Sequence, residues 1–179
     1  PNGEVVSSSL TVKGGYVNSE EYGLGAYGNK AVLNVSGGVI VADNNAVVAG
    51  NGTVNETTNA GGTEINLTGG TLIGHITSSG YIACGVYHPQ SGKLTISGEV
   101  DIYADGGVAV LMRAGTAEIT GGTITGTGTA AGWVGDNKNA IPCSGVVYDE
   151  AAKYLALASG YKASISGSAV KMATGAGVD

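Results

Sequence analysis

Asp101, Asp105 and Arg113 are the nearest this sequence comes to a catalytic grouping. Carboxylates beside a basic residue are what polysaccharide cleavage demands, whether they act through calcium or as acid and base. Asp43 lies earlier in the chain and could join them. Against this, Arg113 follows Gln90 by 23 residues. In a chain repeating at that interval both would occupy one polar turn, where an arginine is ordinarily solvated. The carboxylates are scattered, with few at equivalent repeat positions, so no catalytic residue is assigned.

The two histidines, His75 and His88, show no Cys/His spacing of a zinc site and no Ser/Asp partner for nucleophilic work. Both read as surface or turn residues. Asp43-Asn44-Asn45 and Asp136-Asn137-Lys138-Asn139 offer oxygens, but short of a full calcium ligand set, and read as turns. Neither metal nor cofactor is expected. Among the aromatics, Trp133 in a glycine-rich stretch is the best candidate to stack on a sugar ring, with a lid over the apolar layers as its other role. Tyr87 and Tyr148 are weaker candidates, since each follows Gly-Val at a matched position and could instead cover a core edge.

Composition narrows the elements that could position these residues. The 179 residues include 33 glycines, one Trp, three Pro and no Phe, so the interior must be layered aliphatic side chains. The net charge is −6, and Arg113 is the only arginine, so no basic stripe exists for a nucleic acid or an anionic membrane surface. No apolar run reaches the roughly 20 residues needed to cross a bilayer. The opening Pro1-Asn2-Gly3 has no signal-peptide character, and both ends read as cuts in a longer chain.

One phrase recurs: apolar, any, apolar, Ser/Thr or Lys, then Gly-Gly or Gly-x. It occurs at Leu10–Gly15, Leu33–Gly38, Ile65–Gly70, Leu94–Glu99, Ala117–Gly122 and Ala163–Ser168. Its first glycines are spaced 23, 32, 29, 23 and 46 residues apart. These values read as a coil of about 23 residues with loops added, and the last as two coils or one with a large insertion. Alternation puts one set of side chains inside, the glycines turn the chain, and a second apolar stretch follows, as in Ala46-Val47-Val48 and Val108-Ala109-Val110. Leu33, Ile65, Leu94 and Ile119 are expected in one interior column. A lone coil buries too little to offset its ordering, so stability must belong to the array.

The segment from Gly85-Val86-Tyr87-His88 through Leu94-Thr95-Ile96-Ser97-Gly98 resembles repeats of right-handed β-helix regions in large surface proteins of Gram-positive gut bacteria. The wider grouping is the pectate-lyase-like superfamily. The resemblance spans roughly residues 10–170. It implies an all-β fold, a right-handed parallel β-helix (β-solenoid), and admits polysaccharide processing as an activity. Gly98-Glu99 departs from the Gly-Gly pattern and shifts the alternation.

The expectation is therefore a single domain over residues 1–179, with insertions near 51–62, 74–82 and 126–160. Asp149–Leu157, in the last insertion, is the one helix-like stretch. Cys84 and Cys143 hold similar places two coils apart, about 9–10 Å by strand spacing, which favours free buried thiols. The alternative is a bridge, if the insertion swings Cys143 back. An ice-binding Thr row suggested by Thr123 and Thr125 is broken at Tyr16, Val39 and Ile73. Sequons stand at Asn34, Asn51, Asn55 and Asn66, where such a composition produces about two by accident, so they carry little weight unless the host glycosylates.

The functional expectation is a non-catalytic extracellular or cell-surface segment: a stalk, surface layer or filament component. Its partner would be itself, through end-to-end or lateral assembly, or a glycan or host surface. Alternatives are a polysaccharide lyase, hydrolase or tailspike-type module, and a lectin-like module.

Overall fold

The computed structural model describes residues 7–27, 30–50, 63–75, 84–88, 92–112, 116–127, 141–143, 161–166 and 169–174. These residues form an all-β structure with two sheets and no helix. Trp133, Tyr148, Arg113, Gln90, Asp136–Asn139 and the helix-like stretch 149–157 lie outside the described residues.

The glycine phrase folds as two strand segments joined at a corner. Strands β1 (Ser8–Ser19), β3 (Ala31–Asp43) and β5 (Glu64–His75) each run through such a corner, and they pair in parallel in the order β1-β3-β5. The next coil breaks there. The first half of β5 pairs with β7 (Lys93–Ile96), and the second half with β8 (Asp101–Asp105). Likewise β7 carries β10 (Thr116–Ile119), and β8 carries β11 (Thr123–Gly126). The result is two parallel ladders meeting along a line of glycines.

A third parallel ladder comes from the apolar stretch that follows each corner. Its strands are β2 (Leu24–Gly25), β4 (Val48–Ala49), β6 (Cys84–His88) and β9 (Val108–Met112), stacked in that order. Bonds from Leu24 N to Val47 O (2.8 Å) and from Gly50 N to Tyr87 O (2.8 Å) extend it at both ends.

Alternation in the first two ladders delivers the core. Leu10, Leu33, Ile65 and Leu94 stand in one column, with Ala117 in register. Val12, Val35, Leu67, Ile96 and Ile119 form the next. Ile119 thus belongs one column over from the expected one, because Ala117 takes the first apolar place of its phrase. The second ladder adds Val17, Ile40, Leu72, Ile102 and Ile124. Apart from half-buried Val12 and Val17 and exposed Leu10 on β1, the aliphatics described in these columns are fully buried.

The third ladder is patterned differently. Ala46–Gly50 and Cys84–His88 are buried at every position, so both faces of the ladder are covered at β4 and β6. Unbroken apolar runs are the sequence counterpart of a strand enclosed on two sides.

The corner geometry explains the glycines. Gly38 and Gly70 have φ of +96° and +94°, and a β-carbon on Gly70 would meet Gly37 C and Gly38 O at 2.9 Å each. Thr71 follows Leu67 by four positions across this corner, whereas their register partners, Asp101 and Ile96, are five positions apart. The Gly98-Glu99 coil therefore holds one extra residue. Its positive φ falls on Gly98 (+67°), and Val100 tucks in, 1% exposed.

The parallel order ends after β11. Strand β12 (Ile141–Cys143) runs antiparallel to β9, and β14 (Ala169–Thr174) runs antiparallel to both β11 and β13 (Tyr161–Ser166). The sixth phrase, Ala163–Ser168, is therefore not a stacked coil. Ser166 pairs with Ala169, which leaves two residues between paired ends, the length of a tight hairpin. Strand β5 runs on through Gly74 and His75, and Gly126 pairs with Ala104.

Candidate functional surface

Because Ile40, Leu72, Ile102 and Ile124 point inward, the residues between them line the outer face of the second ladder. One outward column is Tyr16, Val39, Thr71, Asp101 and Thr123, and the next is Asn18, Val41, Ile73, Tyr103 and Thr125. Val and Ile in coils two and three, and Asp101 and Tyr103 in coil four, interrupt any threonine row, as the sequence indicates.

A third outward column places Asp43, His75 and Asp105 on consecutive strands. His75 Nδ1 lies 4.0 Å from Asp105 Oδ2, with both side chains about half exposed. Such a pair exists only while the imidazole is protonated, and water screens it to little net value. Thr127 Oγ1 donates to Asp105 Oδ1 at 3.2 Å and accepts from Gly106 N–H at 2.6 Å. The order is hydroxyl, carboxylate, imidazole. A Ser-His-Asp-type relay requires the imidazole in the middle, so this arrangement is not one.

The sequence missed this column for a definable reason. Asp43 and His75 each follow the first glycine of their corner by six residues, whereas Asp105 follows Gly98 by seven. The extra residue in that coil hides the equivalence. Asp101 falls in a different column. Among the described residues, no three of His, Cys, Asp and Glu converge as metal ligands. Asn44 adopts a left-handed turn (φ +68°), its N–H bonded to His75 O at 2.7 Å.

The first ladder's outer face is largely polar. Asn66 Nδ2 donates to Asn34 Oδ1 at 3.0 Å, and Asn34 Nδ2 reaches Thr11 Oγ1 at 3.4 Å. These two sequon asparagines are ladder residues inside strands rather than loop residues. Lys93 and Glu118 form an ion pair one coil further along.

His88 departs from the sequence expectation, while Tyr87 falls on the core-edge side of the two roles the sequence offers. Each is only 1% exposed, so Tyr87 presents no free ring face for a sugar, and His88 is not a surface residue. Both sit in the third ladder, enclosed on two sides. Near it, burial raises the pKa of Tyr22, reinforced by Tyr27, Tyr87, Cys84 and Glu21. Burial likewise raises that of Tyr27, whose side of the cluster stays open at 55% exposure.

Cys84 is a free, buried thiol whose pKa burial pushes well above its ordinary value. It stands in register with Val108, while Cys143, on the antiparallel β12, pairs with Val110. Two strand spacings plus a two-residue offset put the cysteine backbones about 11 Å apart, beyond disulfide reach. In a Cys143→Ser chain, Cys84 should be silent to an aromatic disulfide reagent in the native state and react fully on unfolding. Rapid native reaction would contradict its burial. Cys84, Tyr22 and Tyr27 all hold their protons more tightly folded than unfolded. Their contribution is therefore intact below about pH 9 and is lost as pH rises through the folded values.

Among the described residues, no helix is long and apolar enough to cross a membrane. No protein-family model, no curated protein and no solved structure matches this chain.

Proposed function

We propose that the chain is a right-handed β-solenoid of the pectate-lyase-like kind, serving outside the cell as a rigid structural or adhesive segment rather than as an enzyme. The observation that carries this reading is the stacking itself. Three parallel ladders repeat in register around aliphatic interior columns. Such a stack projects its intercoil segments from a stiff body, which suits a stalk, a surface layer or a filament. Trp133 and Tyr148 remain the candidates for glycan contact on those segments.

A second reading, polysaccharide cleavage, draws on Asp43 and Asp105. They share a column two strands apart, about 9–10 Å, at the upper edge of the carboxylate separation used by inverting glycosidases. His75 stands between them, where an attacking water and the sugar would need room.

Incubation with a panel of neutral and acidic polysaccharides, with and without calcium, distinguishes the two. The expected result is no new reducing ends and no unsaturated uronate. Product formation abolished by Asp105→Asn would overturn the structural reading. A glycan array probed with the parent chain and with Trp133→Ala tests the adhesive variant.

A further inference from the structure

Five of the six glycine phrases stack in parallel, whereas the sixth, Ala163–Ser168, folds back through β13 and β14. Chain length does not force the reversal. Thr116 follows Asp105 by 11 positions where the chain comes round to its fifth phrase, and Tyr161 follows Gly126 by 35. Nor does the apolar pattern force it. Aligned on its first glycine, the sixth phrase would set Ala163 beside Ala117, Ile165 beside Ile119 and Val170 beside Ile124 in a parallel coil. The hairpin already pairs Val170 with Ile124, with Lys171 opposite Thr123 and Ala169 opposite Thr125. Both directions therefore share one central pair on β11, and they differ by a reversal of β14 about it.

The corner separates the two. Stacked coils turn it in one of two ways. Phrases one, two, three and five place a second glycine there: Gly15, Gly38, Gly70 and Gly122, with φ between +88° and +96°. A β-carbon at Gly38, Gly70 or Gly122 would also come within 2.9–3.0 Å of atoms of the preceding coil. The fourth phrase carries Glu99 at that place and adds a residue. Ile102 follows Ile96 by six positions, where Ile124 follows Ile119 by five, and the positive φ moves to Gly98 (+67°). The sixth phrase does neither. Ser168 holds the second place, and Val170 follows Ile165 by only five positions. A stacked corner would force the Ser168 β-carbon into a backbone conformation suited to glycine and press it on the coil beneath. Gly-Ser is, by contrast, a pair that suits the two-residue turn of an antiparallel hairpin.

We propose that Ser168 is a direction switch. Its β-carbon bars the segment from β13 to β14 from stacking as a further parallel coil over β10 and β11, and so turns it back as the hairpin. Glycine at this position lifts the bar while leaving the hairpin intact, since Gly-Gly suits the same turn. One β-carbon thus decides whether parallel order passes beyond β11.

Disulfide trapping between β11 and β14 in the 179-residue chain reads the direction, with Cys84→Ala/Cys143→Ser removing the other thiols. In the hairpin, Thr125→Cys/Ala169→Cys should bridge on oxidation, because facing residues lie about 4.5–5.5 Å apart at Cα. Thr125→Cys/Lys171→Cys should not, since a two-residue offset across one strand spacing gives about 8 Å. Adding Ser168→Gly should raise the 125–171 bridge relative to the 125–169 bridge by roughly 5–150-fold, the equivalent of the strain removed, with strand-type circular dichroism retained. Ser168→Ala keeps the β-carbon and should leave the ratio where it was. An unchanged ratio in Ser168→Gly, or an equal rise in Ser168→Ala, overturns the switch. So does a parent chain in which the 125–171 bridge already dominates, or in which neither bridge forms.

Discussion

Gly70→Ala should cost the protein about 3 kcal/mol or more, a large share of the roughly 5–15 kcal/mol by which a domain is stable. Two causes add. A residue with a β-carbon at φ +94° carries about 1–3 kcal/mol of backbone strain. The new carbon would also press on Gly37 C and Gly38 O at 2.9 Å. Those atoms belong to the backbone of the next coil, which cannot move aside without opening the ladder. Gly14→Ala is the control, because nothing lies within 4 Å of its β-carbon position and its φ is not positive. That change should stay within about 1 kcal/mol. Urea midpoints followed by circular dichroism compare the two, and equal shifts would refute the corner argument.

Leu33→Ala and Leu10→Ala remove the same atoms from the same column, yet their effects should differ several-fold. Leu33 is fully buried between Leu10 and Ile65, so its truncation leaves a cavity and should cost about 2–5 kcal/mol. Among the described residues, Leu10 has a paired strand on one side only, and it is already 44% exposed. Its truncation should cost about 1 kcal/mol or less. Comparable losses would mean that the end of the stack is covered as completely as its middle.

How far the sequence could be read depends on what alternation encodes. The glycine spacings of 23, 32 and 29 reproduce the strand offsets in the first ladder, since Ser8 pairs with Ala31, Leu33 with Ile65, and Ile65 with Leu94. A period-two pattern fixes which face a side chain takes but says nothing of strand direction. The phrase Ala163–Ser168 looks like its five predecessors for that reason and still folds into an antiparallel hairpin.

Tyr87 illustrates the converse. Its burial was legible in the unbroken apolar run from Cys84 to Tyr87, a mark of a strand covered on both faces. The matched Gly-Val positions pointed the same way, toward a core edge. The Asp43–His75–Asp105 column was hidden by one surplus residue at Gly98-Glu99, which alters the count from the corner without altering the ladder. Trp133 and Tyr148 lie outside the described residues, so the aromatic half of the candidate site rests on sequence alone.

The splitting of the bent strand after β5 has a mechanical corollary. Up to β5 each coil's corner is spanned by one continuous strand; beyond it, β7 and β8 hold their halves separately, β5 pairing with β7 at Ile65–Leu67 and with β8 at Thr71–His75. Tension applied along the stacking direction loads these ladders side by side, so beyond β5 either half of a corner can yield without dragging the other through a shared strand.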